Sequence, residues 1–314
     1  MTQITAPGVY PDISAEDYHA DNFLPEPSLS SSIAKLLVTP GGTPLHAWTE
    51  SARLNPEFER EEKTMFDLGA AAHALLLGDP RDFEICDYPD WRAKGAPFAR
   101  EQARKVGMIP ILAKHWERTI EMVAAARAQL ASHEEGRRAF VDGKPEVTIC
   151  WREGDVWMRA RLDWLPNSGD LFFDYKSTGA SADPDSWGKT MLGMGAEFQN
   201  AFYCRGIRAL GLSRQPQLRF VVQENYKPFA LSVVGLMPGL IDLADRQVER
   251  AIALWSECRR TGLWPGYPRR TAFVDAPPWH EAQVLAREER RADADKAAHA
   301  LADEFHRPLE RARP

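Results

Sequence analysis

Cysteine is scarce in this chain of 314 residues: Cys86, Cys150, Cys204 and Cys258 each stand more than fifty residues from the next. They form no CxxC pair and no zinc or iron–sulfur spacing, so they read as reduced structural thiols. No apolar run approaches the roughly 20 residues that a membrane helix needs. Met1–Tyr10 has neither the basic nor the apolar stretch of a secretory signal, so a cytoplasmic chain with no membrane partner is expected. No Gly-x-x-x-x-Gly-Lys-Ser/Thr phosphate loop is present, so the chain brings no nucleotide-driven motor of its own. Positive charge is not in excess either: 39 Lys and Arg against 45 Asp and Glu leave a net charge of −6. That excludes a histone-like or polybasic protein but not a local basic groove.

With 44% hydrophobic and 27% charged residues, the composition is that of a soluble globular chain and excludes wholesale disorder. The length fits one large domain or two small ones. Three segments are expected: an N-terminal lead-in over 1–60, a core over 61–265 and a helical tail over 266–314. In the first, Ser28-Leu29-Ser30-Ser31-Ser32 leads into Ile33, Leu36 and Leu37, a short capped helix that Pro40-Gly41-Gly42 stops. Glu57–Lys63 reads as a solvated charge run. Met65, Leu68, Ala72, Leu75 and Leu76 recur at helical spacing before Gly78-Asp79-Pro80.

Arg92, Lys94, Arg100, Arg104 and Lys105 face a single acid, Glu101; the stretch is either a solvated helix face or a phosphate-contacting patch. A long helix over about 111–131 is expected to turn Leu112, Trp116, Ile120, Val123 and Leu130 inward. After Pro145 the period changes to two. Glu146–Trp151, Val156–Trp164 and Leu171–Lys176 alternate, with turn residues at 152–155 and 166–170, and predict a three-stranded antiparallel meander. A helix near 194–210, strands near 218–224 and 229–236 and a helix near 239–260 follow. Residues 281–313 read as one polar helix with seven basic and eight acidic residues, a capping or interaction helix rather than a charged nucleic-acid arm. The order predicts an α/β fold with a mixed sheet.

Chemistry concentrates in the meander. Residues two apart on a strand share a face, so Asp174 and Lys176 point together, away from Leu171, Phe173 and Tyr175. A hairpin centred between Ser168 and Gly169 sets Asp163 opposite Asp174, where Cβ atoms lie about 4.5–5.5 Å apart. A first hairpin centred between Glu153 and Gly154 sets Glu146 opposite Arg161. Glu146, Asp163, Asp174, Arg159, Arg161 and Lys176 are then expected on one face, bordering a cleft, with the other face buried. Alternation alone would also suit a solvated polar face. Opposed carboxylates, however, repel unless a cation or proton intervenes. Oxygen ligands with open positions suit Mg²⁺ or Mn²⁺, which can polarise a phosphoryl oxygen and activate water.

Asp163, ten residues, then Asp174-Tyr175-Lys176 resembles the signature of the PD-(D/E)xK nuclease superfamily. Leu162 stands where a proline would precede the first acid. Gly69-Ala70-Ala71-Ala72-His73 resembles the Gly-x-x-x-His helix of the RecB-like branch, and Gln199-Asn200-Ala201-Phe202-Tyr203 its Gln-x-x-x-Tyr helix. Ser28–Ser32 and Thr39-Pro40 resemble that branch's Ser-rich opening. The order and spacing are similar to those of the RecE-like phage recombination exonucleases, the exodeoxyribonuclease VIII family, over roughly residues 8–265.

The resemblance implies a restriction-endonuclease-like core, a central mixed sheet flanked by helices, with a helical N-terminal segment and a C-terminal helix. It implies a Mg²⁺-dependent, ATP-independent exodeoxyribonuclease, with Mn²⁺ as substitute, that degrades one strand of linear duplex DNA 5′ to 3′ and exposes single strand for annealing. Asp163 and Asp174 would be metal ligands with His73 at the metal or the scissile phosphate and the Tyr175 backbone carbonyl as a candidate third ligand. Lys176 would orient or deprotonate the attacking water. Gln199 and Tyr203 would contact DNA or brace the lysine. Gly69 would let DNA or a neighbouring strand come close to His73. Glu146 is either a further ligand or a salt-bridge partner of Arg161. Arg159, Arg161 and the 92–105 stretch are candidate DNA contacts. The implied partners are double-stranded DNA ends, a single-strand annealing protein and further copies in a ring; the implied setting is a bacterial cytoplasm, phage- or prophage-encoded. The alternatives are a non-catalytic scaffold for DNA or an annealing protein on a nuclease fold, or a RecB-like endonuclease. An iron–sulfur nuclease lacks its cysteines, and a two-carboxylate glycosidase leaves Lys176, Gln199 and Tyr203 without roles.

Overall fold

The alternating stretches of the middle of the chain form the long strands of a seven-stranded sheet, and the residues between and around them supply its helices. The computed structural model describes residues 3–59, 67–78 and 83–305; Met65, Asp79-Pro80, part of the 57–63 charge run and the end of the tail lie outside them. In chain order the elements are β1 (Gly8–Tyr10), α1 (Ala15–Ala20), β2 (Leu29–Ser30), α2 (Ser31–Leu36), α3 (Pro44–Thr49), α4 (Asp67–Leu77), β3 (Phe83–Cys86), α5 (Ala96–Lys105), β4 (Ile109–Leu112) and α6 (Ala113–Ser132). Then follow β5 (Gly143–Glu153), β6 (Val156–Pro166), β7 (Leu171–Thr178), α7 (Pro184–Met194), α8 (Ala196–Ala209), β8 (Gln217–Glu224), β9 (Leu231–Gly235), α9 (Pro238–Thr261) and α10 (Pro278–Phe305).

The strands run β1-β5-β6-β7-β8-β9, with β2 beside β6, and β3 pairs with β4 in a separate two-stranded sheet. β5, β6 and β7 are the antiparallel meander. The α7–α8 crossover makes β8 parallel to β7, which is what a connection too long for a hairpin allows. β1 and β9 are antiparallel to their neighbours and β2 is parallel to β6.

Helices cover both faces of this sheet, not one. Met158, Ala160, Leu162, Phe172, Phe220 and Val222 pack against α2, α8 and α9 through Ile33, Phe198, Phe202 and Trp255. Phe173, Tyr175 and Val221 pack against α4 and α6 through Ala72, Leu76, Met122 and Val123. A strand buried on both faces reads as continuously apolar, which is why 171–175 is nearly all aromatic and aliphatic. On α6, Thr119 is buried and Ile120 is exposed, so the predicted inward position of Ile120 is corrected; Met122, Val123, Ala126 and Leu130 make the buried stripe.

Two compact units result, Met1–Gly266 and Tyr267–Pro314. The N-terminal segment is woven into the first, with β1 and β2 in the sheet. α2 starts on Ser30, whose hydroxyl accepts from the Ile33 amide. α9 stops at Gly262, at φ +70°, a backbone that glycine adopts without strain. No helix among the described residues is long and apolar enough to cross a membrane.

Candidate functional site

β6 and β7 are bridged at a single pair, Trp164 and Phe173. One step further along that register Asp163 falls opposite Asp174, as the sequence predicts, but there the ladder stops. The Asp163 side chain takes the place of a strand partner, its Oδ2 accepting the Tyr175 amide at 2.8 Å. The strands therefore part at the two acids, and the parting is where polar groups can be buried and still reached.

On the other side of Asp163 the register differs from expectation. Glu153 closes against Val156 around Gly154-Asp155, with Gly154 at φ +60°, the mirror-image turn that glycine favours in a two-residue loop. Arg161 therefore faces Thr148, and the pairs Pro145–Trp164 and Val147–Leu162 leave Glu146 opposite Asp163. A shift of two residues preserves the face, so Glu146 still reaches the cluster. It sits at φ +54°, a conformation that costs a non-glycine residue on the order of 1–3 kcal/mol and collects at functional sites. Glu146, Asp163 and Asp174 thus stand in one row across three adjacent strands.

His73 enters from α4. Its Nε2 lies 3.1 Å from Asp163 Oδ2 and its Nδ1 lies 3.4 Å from Glu146 Oε1. One ligand atom from each of His73, Glu146 and Asp163 falls within 4.8 Å of the others. Gly69 lets α4 lie this close: a Cβ there would meet Ser177 Oγ of β7 at 2.3 Å. The near neighbour of this helix is thus a strand.

Asp174 stands outside that trio. It is 1% exposed, and it faces α8, where its Oδ1 pairs with Lys176 and its Oδ2 accepts from Gln199 Nε2 at 2.5 Å. Gln199 therefore braces the Asp–Lys pair through the acid. Tyr203 lies one turn on, half-buried in the wall of the same cleft as Gln199. The Glu146 alternatives meet in one side chain, because its Oε2 pairs with Arg161 while Oε1 faces His73. Arg159, expected beside them as a DNA contact, is instead buried. It pairs with Asp21 at 3.1 Å, donates to the Ser28 carbonyl at 2.6 Å and lies over the Tyr18 ring. It fastens the N-terminal segment to β6 and is not offered to a ligand. Within the basic stretch Arg100 is also buried, over the Trp91 ring, and Lys105 pairs with Glu101.

The charges explain one another. Burial favours the neutral His73 imidazole, but the Asp163 carboxylate it bonds to, and then Glu146, push its pKa up to about 9. Burial likewise works against an ionised Asp163, yet His73, Lys176 and the Tyr175 amide hold it below the usual carboxylate range. Asp174 goes the other way: burial first, then the Asp163 charge, push it up to about 6. Lys176 loses charge stability by burial and regains more from Asp174 and Asp163, so its pKa lies above the usual lysine value. Without a metal, three carboxylates are thus balanced by three cations, Arg161, protonated His73 and Lys176. A divalent ion on the trio would take over the part of the His73 proton, since metal binding and ligand deprotonation are linked.

The cluster opens into a cleft of about 410 Å³ that also exposes Lys35, Ser31, His19 and Gly195. A second depression of about 350 Å³ lies beyond His73, along Gly69, Lys176 and Ser177. Sequence reasoning missed Lys35 and the Tyr18–His19 wall. The sheet-side partner of Tyr175, Gln223, which accepts its hydroxyl at 2.7 Å, was also missed. No motif marks them; only the folding of the first residues onto β6 brings them here.

Sheet order, helical cover and the Asp163…Asp174-x-Lys176 spacing define a protein of the PD-(D/E)xK-like class. More narrowly, residues 36–277 match the profile of DUF3799, described as a PDDEXK-like domain of unknown function. The chain belongs to that family. Among solved structures it is similar to a protein from Eubacterium rectale named "putative exonuclease", with TM-score 0.57 and 12% identity over 85% of this chain and 96% of that one, a likeness of fold. SSO0001 matches 62% of this chain and 88% of its own at 10% identity, with TM-score 0.25, too low to support an argument. No curated protein matches the chain by sequence.

Proposed function

We propose that this chain is a divalent-cation-dependent deoxyribonuclease that acts without ATP on the ends of linear duplex DNA. We propose further that it degrades one strand, 5′ to 3′, and leaves the other single-stranded for annealing. The observation that carries the nuclease reading is the convergence of His73, Glu146 and Asp163 on one point beside the Asp174–Lys176 pair.

Two carboxylates, one imidazole and an open cleft fit a small divalent ion. Carboxylate and water positions suit Mg²⁺ and Mn²⁺, and the imidazole makes Mn²⁺ the better match. His73, Glu146 and Asp163 would hold it, with Asp174 as the next acid in the row. Bound there, such an ion would supply Lewis-acid polarisation of a phosphoryl oxygen and acidify a water. The chain's own groups do the rest. Lys176, held by Asp174, would donate to a water or a phosphoryl oxygen. Gln199 fixes the rotamer of Asp174 and through it the ammonium. Arg161 neutralises the half of Glu146 turned away from His73.

The proposed partners are duplex DNA ends, a single-strand annealing protein and further copies of the chain in a ring. A ring would reconcile the net charge of −6 with a polyanion, because only the channel need be basic.

End-labelled linear duplex, with and without a 5′ phosphate, should be digested in Mg²⁺ from one end, and covalently closed circles should resist. Rapid cutting of circles would make the chain an endonuclease. No cation-dependent digestion of either would overturn the nuclease reading.

A further inference from the structure

Beside the cleft lies a smaller depression of about 200 Å³, and Tyr18, His19, Ser30 and Ser32 border both. Its character is different. The cleft is lined by the carboxylates, Arg161 and Lys35, the groups that suit a cation and a phosphate. The remaining walls of the depression are Ile33, Leu36 and the half-buried ring of Phe58, with the Glu50 carboxylate exposed at its rim. Arg159 lies beneath, but its charge is spent on the buried Asp21. A phosphate would meet an acid here, and among the described residues that border the depression the only arginine is already paired with Asp21. A flat, uncharged ring would meet aromatic and aliphatic carbon, with the serine hydroxyls at its edge. On a nucleic-acid strand each phosphate has a base as its immediate neighbour, so a seat suited to a phosphate adjoining one with an aromatic wall matches one nucleotide.

Resting on the nuclease reading above, we infer that this depression seats the base of the nucleotide whose phosphate lies in the cleft, with Phe58 as the stacking ring. Every base has an aromatic face, so the seat is tolerant of sequence and reads only that a base is present. Phe58 then sets the affinity for the end nucleotide and touches none of the reacting atoms.

The test compares hydrolysis of thymidine 5′-(p-nitrophenyl phosphate) with that of methyl p-nitrophenyl phosphate, which keeps the leaving group and puts a methyl in place of the nucleoside, in Mn²⁺. Stacking on one aromatic ring contributes about 1–3 kcal/mol per base, which is roughly 5- to 150-fold in kcat/KM. Phe58→Ala should lose that factor on the thymidine diester, through KM, and nothing on the base-less one; Phe58→Trp should restore it. Equal losses on both diesters, or no loss on either, would overturn the inference. If the wild-type chain hydrolyses neither diester, the digestion of linear duplex described above decides the nuclease reading by itself. Binding of thymidine monophosphate, followed by ligand-observed NMR with wild type and Phe58→Ala, then decides the seat alone: weakened binding in the variant supports it, and equal binding overturns it.

Discussion

A row of three carboxylates across neighbouring strands would repel itself apart, and here each acid has a cation: Arg161 for Glu146, His73 for Asp163, Lys176 for Asp174. Removing one member should therefore show in more than one property. Lys176→Met is expected to lower cation-dependent digestion by about 10²–10³-fold, the range for loss of one preorganised donor; steady-state rates on linear duplex check it. Gln199 acts one bond further out, and Gln199→Ala should cost about 10–100-fold, as supporting partners of a metal site do. Equal activity of either variant would remove its residue from the machinery. The acid pair and the lysine were legible in the sequence because the β6–β7 register is the one the turn residues predict, and Glu146 because alternation survives a shift of the β5–β6 register by two. The division of labour was not: nothing in the order of residues says that β6 and β7 part at Asp163, so that Asp174 turns to α8 while Asp163 turns to His73.

Among the elements, α8 is pressed against the sheet closely enough that a single methyl decides the fit. A Cβ on Gly206 would lie 2.6 Å from the fully buried Trp151 ring. Overpacking costs typically about 1–3 kcal/mol, while replacing glycine by alanine in a helix gains about 1 kcal/mol. Gly206→Ala should thus destabilise by up to about 2 kcal/mol in urea, and a rise in stability would show that the ring can move. α8 is also tied to β5 and α9 by Arg205, which donates to Glu153 and Asp245. Burial raises the Glu153 pKa, but the hydrogen bonds from Arg205 and the Trp151 indole, with the Arg205 and Arg208 charges, together outweigh it and leave it below the usual carboxylate value. The stability this pair contributes is present above the ordinary carboxylate pKa and is lost as pH falls through the depressed one. The stability difference between wild type and Glu153→Gln should be constant from pH 7 to about 5 and shrink below pH 4. A constant difference down to pH 3 would deny the pair. The long elements, the β5–β7 meander with α8 and α9, were readable from periodicity. The short β1, β2, α1 and α3 were not, because a few residues carry no period and owe their shape to the sheet they join.

For the whole molecule, a net charge of −6 and a polyanionic substrate make salt the informative variable. If exposed Arg92 and Lys94 meet phosphates, the double charge reversal should flatten the salt dependence of duplex binding by about two counterions; an unchanged slope would leave that stretch a solvated surface. The proposed activity turns on where a divalent ion would sit, and the acid pair and the folded cluster offer it different places. The acid pair alone points to Asp163 with Asp174; the folded chain gathers Asp163 with His73 and Glu146. Calorimetric titration of Mn²⁺ into wild type, Asp174→Asn and His73→Ala separates the two. A saturable site is expected in the wild type, retained in Asp174→Asn and weakened with a smaller proton release in His73→Ala. Binding lost in Asp174→Asn and unchanged in His73→Ala would contradict the His73–Glu146–Asp163 site.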